Sequence, residues 1–183
     1  GVIEEVFDVA YKWLGRIPGG LAVATVVAST VLAAMVGVIG AAVVTMALVA
    51  LPSMLRRGYS PVLAVGTVMA GGTLGILIPP SVLAIVYGLV ANQSVGELYL
   101  GSVFPGLVLS GLYILFSVGY ALLNPKAAPR LSPEETPTWS ERWRALRSIW
   151  SPLVLIFLVL GTIFLGLAAP TEAAAIGAFG AMV

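Results

Sequence analysis

Uncharged apolar stretches, separated by short polar segments, dominate the pattern of this sequence. Residues 17–55 carry no charged side chain over 39 positions, and residues 60–95 carry none either. A helix that crosses a bilayer needs about 20 apolar residues, so the first stretch is long enough for two helices and the second for one. Because the runs are continuous and lack the alternation of barrel strands, the pattern predicts an all-α, polytopic membrane protein.

The first stretch is predicted to reverse direction near its centre. Two glycines, Gly37 and Gly40, lie within residues 35–41 and permit a tight turn. A turn that faced water would carry polar side chains, and this one has none. We therefore expect its tip to end inside protein, as a re-entrant hairpin over residues 17–58. Two complete spans, or a helix interface built on small residues, are the alternatives.

The second stretch, within residues 59–95, contains the segment least compatible with a continuous helix. Residues 71–81 combine three glycines, two consecutive prolines and two hydroxyl side chains. Proline lacks a backbone donor and glycine adds backbone freedom, so the segment predicts a broken transmembrane helix. Backbone groups freed at membrane depth need protein, water or an ion as partner, and such breaks form binding sites in ion-coupled transporters. A kinked packing helix is the alternative.

Four further elements flank these two stretches. We expect an interfacial helix over residues 1–16, a transmembrane helix over 96–123, a linker with an amphipathic helix over 124–150, and a transmembrane helix with the start of the next over 151–183. The apolar part of the 96–123 element begins at Phe104, so Pro105 suits the first turn of that helix.

Helix-start signals and aromatic spacing characterise the C-terminal part. Residues 132–135 and 138–141 each match a capping box, and Pro170 with Glu172 suits a further first turn. Beyond the second box, four side chains share one narrow helical face: Trp139, Trp143, Leu146 and Trp150. Arginines lie off that face, which is typical of a helix lying flat at the bilayer surface. An ordinary packed helix is the alternative.

All basic residues fall on one side if the hairpin returns to its starting side and the broken helix crosses once. The nine are Lys12, Arg16, Arg56, Arg57, Lys126, Arg130, Arg142, Arg144 and Arg147. By the positive-inside rule that side is cytoplasmic. Glu97 and Glu172 are then the only charged residues on the outer side.

Composition narrows the possible functions. The chain is 60% hydrophobic and 9% charged, with a mean hydropathy of +1.07, which excludes a soluble domain. It contains neither cysteine nor histidine. Its apolar stretches also lack Asp, Glu and Lys, so no nucleophile–base pair can be built within the membrane. We therefore expect neither an enzyme nor a cofactor, and the net charge of +1 gives no reason to expect nucleic acid.

Oxygen atoms alone can hold Na⁺, and the hairpin tip and the broken helix supply them. The predicted ligands are backbone carbonyls and one hydroxyl, at Gly37, Gly40, Gly72, Thr73 and Gly75. Proton coupling would normally use an ionisable side chain within the membrane, so its absence favours Na⁺ as the coupling ion.

A small organic anion is the predicted substrate beside this ion. The helix that follows the two prolines would direct its positive N-terminal end at an anionic group. The predicted substrate-binding residues are Gly40, Pro79, Pro80 and Ser81.

Four motifs together resemble the large membrane subunit of tripartite ATP-independent periplasmic (TRAP) transporters. They are Leu-Gly-Arg-Ile-Pro-Gly-Gly-Leu-Ala at 14–22, Ala-Leu-Pro-Ser-Met-Leu-Arg-Arg-Gly-Tyr at 50–59, Gly-Gly-Thr-Leu-Gly-Ile-Leu-Ile-Pro-Pro-Ser at 71–81 and Pro-Thr-Glu-Ala-Ala-Ala at 170–175. The resemblance covers the chain in order. It implies the first repeat, one half of an inverted-repeat elevator transporter that imports solutes with Na⁺ across the bacterial inner membrane.

The resemblance also implies partners, namely a small TRAP membrane subunit and a periplasmic substrate-binding protein. Many family members have Gly-Ser-Ser at the first hairpin tip, whereas residues 37–41 here lack hydroxyls, so coordination would rest on carbonyls. A structural membrane subunit, or an ion-coupled transporter without a binding protein, is the alternative. Since the chain lacks an initiator Met and ends in an apolar run, we expect a fragment of a longer protein.

Overall fold

The computed structural model describes residues 1–130 and 137–182, and helices joined by short connections account for these residues. The α-helices are α1 Val2–Leu14, α2 Gly20–Val36, α3 Ile39–Arg56, α4 Pro61–Thr73, α5 Val82–Ala91, α6 Val95–Leu123, α7 Trp139–Ser148, α8 Trp150–Phe164 and α9 Pro170–Gly180. The all-α prediction is confirmed. The helix-start signal at 132–135 lies outside the described residues.

The reversal in the first apolar stretch occupies only two residues, Gly37 and Val38. Gly37 has a φ of 64°, a left-handed conformation that glycine adopts without a Cβ penalty, and closes α2. Val38 is extended, and α3 begins directly after it. Gly40 is already the second residue of α3 and takes no part in the turn. The helical hairpin is therefore present, while the depth of its tip in a bilayer stays a prediction.

Helix α2 forms the centre of the fold, because it contacts α1, α3, α4 and α6. Small side chains make this possible: Ala22, Ala24 and Ala28 are fully buried. Without a strong hydrophobic driving force in lipid, such small residues let helix backbones approach closely.

The predicted break is present between α4 and α5. Helix α4 ends at Thr73, a 3-10 turn follows over Leu74–Ile76, and α5 begins at Val82. The two prolines at 79 and 80 cannot donate the hydrogen bonds that would continue the helix. Ser81 starts α5 instead, because its Oγ accepts a hydrogen bond from the N–H of Ala84 at 3.4 Å.

Helix α6 is longer than the sequence pattern predicts. It begins at Val95 and runs for 29 residues, with Ser94 as its N-cap. The Ser94 Oγ accepts a hydrogen bond from the N–H of Glu97 at 3.4 Å, so the helix starts within the polar segment rather than at Phe104. The placement of Pro105 in the first turn is therefore wrong, because Pro105 lies inside the helix.

Two helices of the described chain, α3 and α6, are long and apolar enough to cross a membrane by themselves. Helix α8 has 15 residues, whereas a helix that crosses a bilayer needs about 20. It reaches the required length only when joined to α7, from which it is bent by 48°. Trp150 opens α8 and does not extend the face of α7. Whether α7 lies flat on a bilayer stays a prediction.

The segments that carry basic residues meet on one side of the structure. The guanidinium of Arg57 lies 4.7 Å from the ring centre of Tyr11 in α1. The Ser60 N–H, just after α3, donates to the carbonyl of Ala127 in the α6–α7 linker at 2.9 Å. The Trp13 indole N–H of α1 donates to the carbonyl of Arg142 in α7 at 3.4 Å. These contacts agree with the one-sided arrangement of charge.

Candidate functional site

The hairpin tip lies directly against the break in the following helix. The carbonyl oxygen of Gly37 accepts a hydrogen bond from the N–H of Val82 at 3.3 Å. A Cβ at Gly37 would collide with the carbonyl oxygen of Pro80. Because a side chain would force these backbones apart, both the left-handed conformation and the close approach require glycine at this position.

The 3-10 turn contacts the other side of the tip. A Cβ at Gly75 would lie 3.5 Å from the carbonyl carbon of Val38 and 3.6 Å from the nitrogen of Ile39. Gly75 is buried, so its backbone packs on the tip without an intervening side chain. The structure thus brings two of the predicted ligands, Gly37 and Gly75, to the same contact.

Gly72 has a packing role that the sequence did not indicate. A Cβ at this position would collide with the Val43 side chain of α3. The carbonyl of Gly72 also accepts from the N–H of Leu74. Gly72 therefore brings α4 close to α3 beside the tip, and its role as an ion ligand stays a prediction.

Thr73, the one predicted side-chain ligand, faces helix α6. Its Oγ1 donates to the carbonyl of Ala70 at 2.6 Å and lies 3.1 Å from the hydroxyl of Tyr113. The side chain is half-buried. Thr73 thus lies next to the turn that contacts the tip, but its hydroxyl is already hydrogen-bonded to the scaffold.

Ser81 and Pro79 lie inside the protein, on the other side of the break. Ser81 is fully buried, and its carbonyl accepts a hydrogen bond from the Tyr99 hydroxyl at 3.3 Å. Pro79 is likewise buried. Both residues fix the path of the break, whereas direct contact with a substrate needs accessible atoms. Their substrate-binding role stays a prediction.

Gly40 and Pro80 are the more accessible of the predicted substrate residues. Gly40 is exposed, and no atom lies within 4 Å of a Cβ placed there. Helix α3 begins without a side-chain cap, so backbone N–H groups of its first turn, including that of Gly40, lack intrahelical partners. Pro80 borders a groove of about 710 Å³ between the last turn of α2 and helices α5, α6, α8 and α9, together with Met35 and Tyr99.

Two helix starts and two helix ends therefore converge at one place. At the tip, α2 ends and α3 starts. At the break, the 3-10 turn ends and α5 starts. Helix starts favour anions and the carbonyls of helix ends favour cations. Among the described residues, no group of three or more His, Cys, Asp or Glu side chains could hold a metal ion. A cation at this contact would be held by carbonyl and hydroxyl oxygens.

The contribution of α6 was missed by the sequence analysis. Tyr99 and Tyr113 contact the two sides of the break, and Ser110 lies 2.7 Å from the hydroxyl of Thr30 in α2. A tyrosine within an apolar helix is a signal that its hydroxyl needs a partner. The sequence could thus have singled out α6 as a contact helix, but not the residues it contacts.

The whole chain matches one known protein family. Residues 1–183 match the family described as "Tripartite ATP-independent periplasmic transporter, DctM component".

Individual relatives are similar over nearly the whole chain. The C4-dicarboxylate TRAP transporter large permease protein DctM of Vibrio cholerae is 38% identical over 178 residues, covering 97% of this chain and 38% of that protein. The protein of the same description from Pseudomonas aeruginosa is 39% identical, covering 97% of this chain and 40% of that protein. The ectoine TRAP transporter large permease protein TeaC of Halomonas elongata is 33% identical, covering 94% of this chain and 39% of that protein. The chain thus spans about two fifths of the length of these relatives.

Proposed function

The chain belongs to the family of the DctM component of tripartite ATP-independent periplasmic transporters, and we propose that it carries one coupling-ion site of a large permease subunit. The permease imports a small organic acid or a related solute together with Na⁺. It works in the bacterial inner membrane with a small membrane subunit and a periplasmic substrate-binding protein. The ion and the substrate meet at the contact between the hairpin tip and the broken helix.

The contact between Gly37 and Val82 is the observation that carries this proposal. It joins the end of α2 to the start of α5 through the backbone alone, next to the break between α4 and α5. Neither side of the contact supplies an ionisable side chain. Oxygen ligands from unwound backbone suit Na⁺, a hard cation, and the arrangement is that of ion sites in transporters with broken helices.

The same contact supports an anionic substrate group. The uncapped start of α3 and the start of α5 both lie at the tip, where partial positive charge favours anions. Relatives are described as C4-dicarboxylate or ectoine permeases. The proposed substrate class is accordingly small organic acids and related solutes delivered by the binding protein.

Reconstitution tests the proposal. The full-length permease, its small subunit and the binding protein are placed in proteoliposomes, and uptake of C4-dicarboxylates and ectoine is followed with an inward Na⁺ gradient or with K⁺ in its place. Uptake that needs both Na⁺ and the binding protein supports the proposal. Uptake that ignores Na⁺ contradicts the coupling. Uptake without the binding protein would instead favour an ion-coupled transporter that works alone, and absent uptake with intact assembly would favour a structural subunit.

A further inference from the structure

Two tyrosines of α6 contact the broken helix on opposite sides of its break. The Tyr113 hydroxyl lies 3.1 Å from Oγ1 of Thr73, at the end of α4. The Tyr99 hydroxyl donates to the carbonyl of Ser81, just before α5. Positions 99 and 113 differ by 14, close to four helical turns, so both side chains leave the same side of α6.

The middle of the break packs on the same side of α6. A Cβ at Gly106, midway between the tyrosines, would lie 2.9 Å from Cγ1 of Ile78 and 3.5 Å from Cβ of Leu77. Gly106 therefore lets the broken segment lie directly on the helix. Helix α6 contacts the break before, within and after its non-helical residues.

The hydrogen bonds of Thr73 fix which group donates to which. Thr73 has one hydroxyl proton, and it donates to the carbonyl of Ala70 at 2.6 Å. The Tyr113 hydroxyl therefore donates to Thr73 Oγ1. A hydroxyl oxygen has two acceptor positions, so one acceptor position of Thr73 Oγ1 remains open. The two existing hydrogen bonds set the direction of this open position.

We propose that Tyr113 is a positioning residue of the ion site, acting through Thr73 and the 3-10 turn. It holds the end of α4 so that Gly75 stays in contact with the backbone of Val38 at the tip. It also directs the remaining acceptor position of Thr73. Tyr99 secures the opposite side of the break at Ser81. This inference rests on the proposed Na⁺ coupling.

A matched pair of variants separates positioning from packing. Tyr113 and Tyr120 both line a cavity of about 280 Å³ between α2, α4 and α6. Tyr113→Phe removes the hydroxyl that reaches Thr73, whereas Tyr120→Phe removes the hydroxyl of another tyrosine that lines the same cavity and leaves Thr73 untouched. In the reconstituted full-length system, Tyr113→Phe is expected to raise the Na⁺ concentration for half-maximal uptake about threefold, the typical effect of one hydroxyl bond between membrane helices. Tyr120→Phe is expected to leave it unchanged.

A double-mutant cycle tests the route through Thr73. Thr73→Ser keeps the hydroxyl and should retain the effect of Tyr113→Phe, whereas Thr73→Val removes the partner and should abolish that effect. Equal shifts in Tyr113→Phe and Tyr120→Phe, or an effect of Tyr113→Phe that persists in Thr73→Val, would overturn the proposal.

A second readout is independent of transport. The 183 residues contain no cysteine, so a cysteine at the exposed tip residue Val38, in a permease freed of other cysteines, reports the accessibility of the contact. Tyr113→Phe should speed its modification by a soluble maleimide about threefold, and Tyr120→Phe should not. If the wild type imports without Na⁺, the proposed function fails and the ion role of Tyr113 with it. If the wild type responds to Na⁺ but labelling is the same in both variants, the positioning role alone is overturned.

Discussion

The carbonyl oxygen of Gly37 accepts a hydrogen bond from the N–H of Val82 at 3.3 Å, and this bond joins the hairpin tip to the first residue after the break. The two residues are separated by the second arm of the hairpin, helix α4 and the break itself. A single backbone contact therefore couples two elements that would have to move together if they share an ion.

Gly37→Ala should separate the tip from the break. The left-handed conformation costs a residue with a Cβ about 1–2 kcal/mol, and that Cβ would meet the Pro80 carbonyl. We expect normal membrane insertion with loss of uptake in the reconstituted system. Gly101→Ala is the control, because Gly101 lies in α6 and no atom lies within 4 Å of a Cβ placed there. Uptake by Gly37→Ala at the wild-type rate would show that the contact is dispensable.

Thr73→Ala should weaken the Na⁺ response. If its hydroxyl is a ligand, the Na⁺ concentration for half-maximal uptake should rise about tenfold, equivalent to about 1.4 kcal/mol. Thr67→Ala is the matched control, since the Thr67 hydroxyl in the same helix donates to the carbonyl of Leu63 at 2.7 Å in a similar way.

Gly75→Val should abolish uptake, because the valine side chain would enter the contact between the 3-10 turn and Val38. A wild-type Na⁺ response in both Thr73→Ala and Gly75→Val would place the ion site elsewhere.

The orientation of the chain can be tested by labelling single cysteines. Residues at positions 57 and 142 lie on the side where the basic segments meet, and we expect both to be cytoplasmic. A cysteine at Gln93, in the turn between α5 and α6, should react with impermeant reagents from the periplasm. Labelling of a cysteine at position 142 from the periplasm would contradict the topology.

The tryptophans of α1 and α7 should support assembly rather than ion binding. The Trp13 ring lies edge-on to Trp139 and to Trp143, each at 5.9 Å between ring centres. Such pairs contribute about 0.5–1.5 kcal/mol each, so Trp13→Ser should reduce membrane assembly or subunit association. Replacing Trp139, Trp143 and Trp150 together by Ser should act in the same direction. A changed Na⁺ response with normal assembly would contradict this role.

The start of α7 should loosen in acid. Two hydrogen bonds, from the N–H and the hydroxyl of Thr138, hold the pKa of Glu141 below its usual value of 4.5. The cap therefore stabilises the start of α7 fully above the usual pKa of Glu141. This stabilisation is lost as the pH falls through the lowered pKa. Over that acidic range the protection factors of the amides in the first turn of α7, taken relative to their intrinsic exchange rates at each pH, should fall. Glu141→Gln should remove this pH dependence of the protection factors, and an unchanged loss of protection in acid in that variant would exclude Glu141 as its cause.

Local chemistry let the sequence determine where several of the helices start and stop. Glycine at position 37 permits a left-handed helix end, and the consecutive prolines at 79 and 80 remove two successive backbone donors, and the reversal and the break lie at these positions. The capping box at Thr138 and the helix start at Pro170 are also present. These features depend on neighbouring residues only, so the pattern alone was sufficient.

Only the tertiary structure decided which of these elements touch. Helix α7 packs on α1 through the contact of Trp13 with Trp143. The pairing of Tyr113 with Thr73 joins residues 40 positions apart. Such contacts depend on how whole helices cross, and a hydrophobic pattern gives the buried face of a helix but not its partner or its height along that partner. The sequence alone therefore located the tip and the break, and the packing of α6 against them determined which side chains hold them in place.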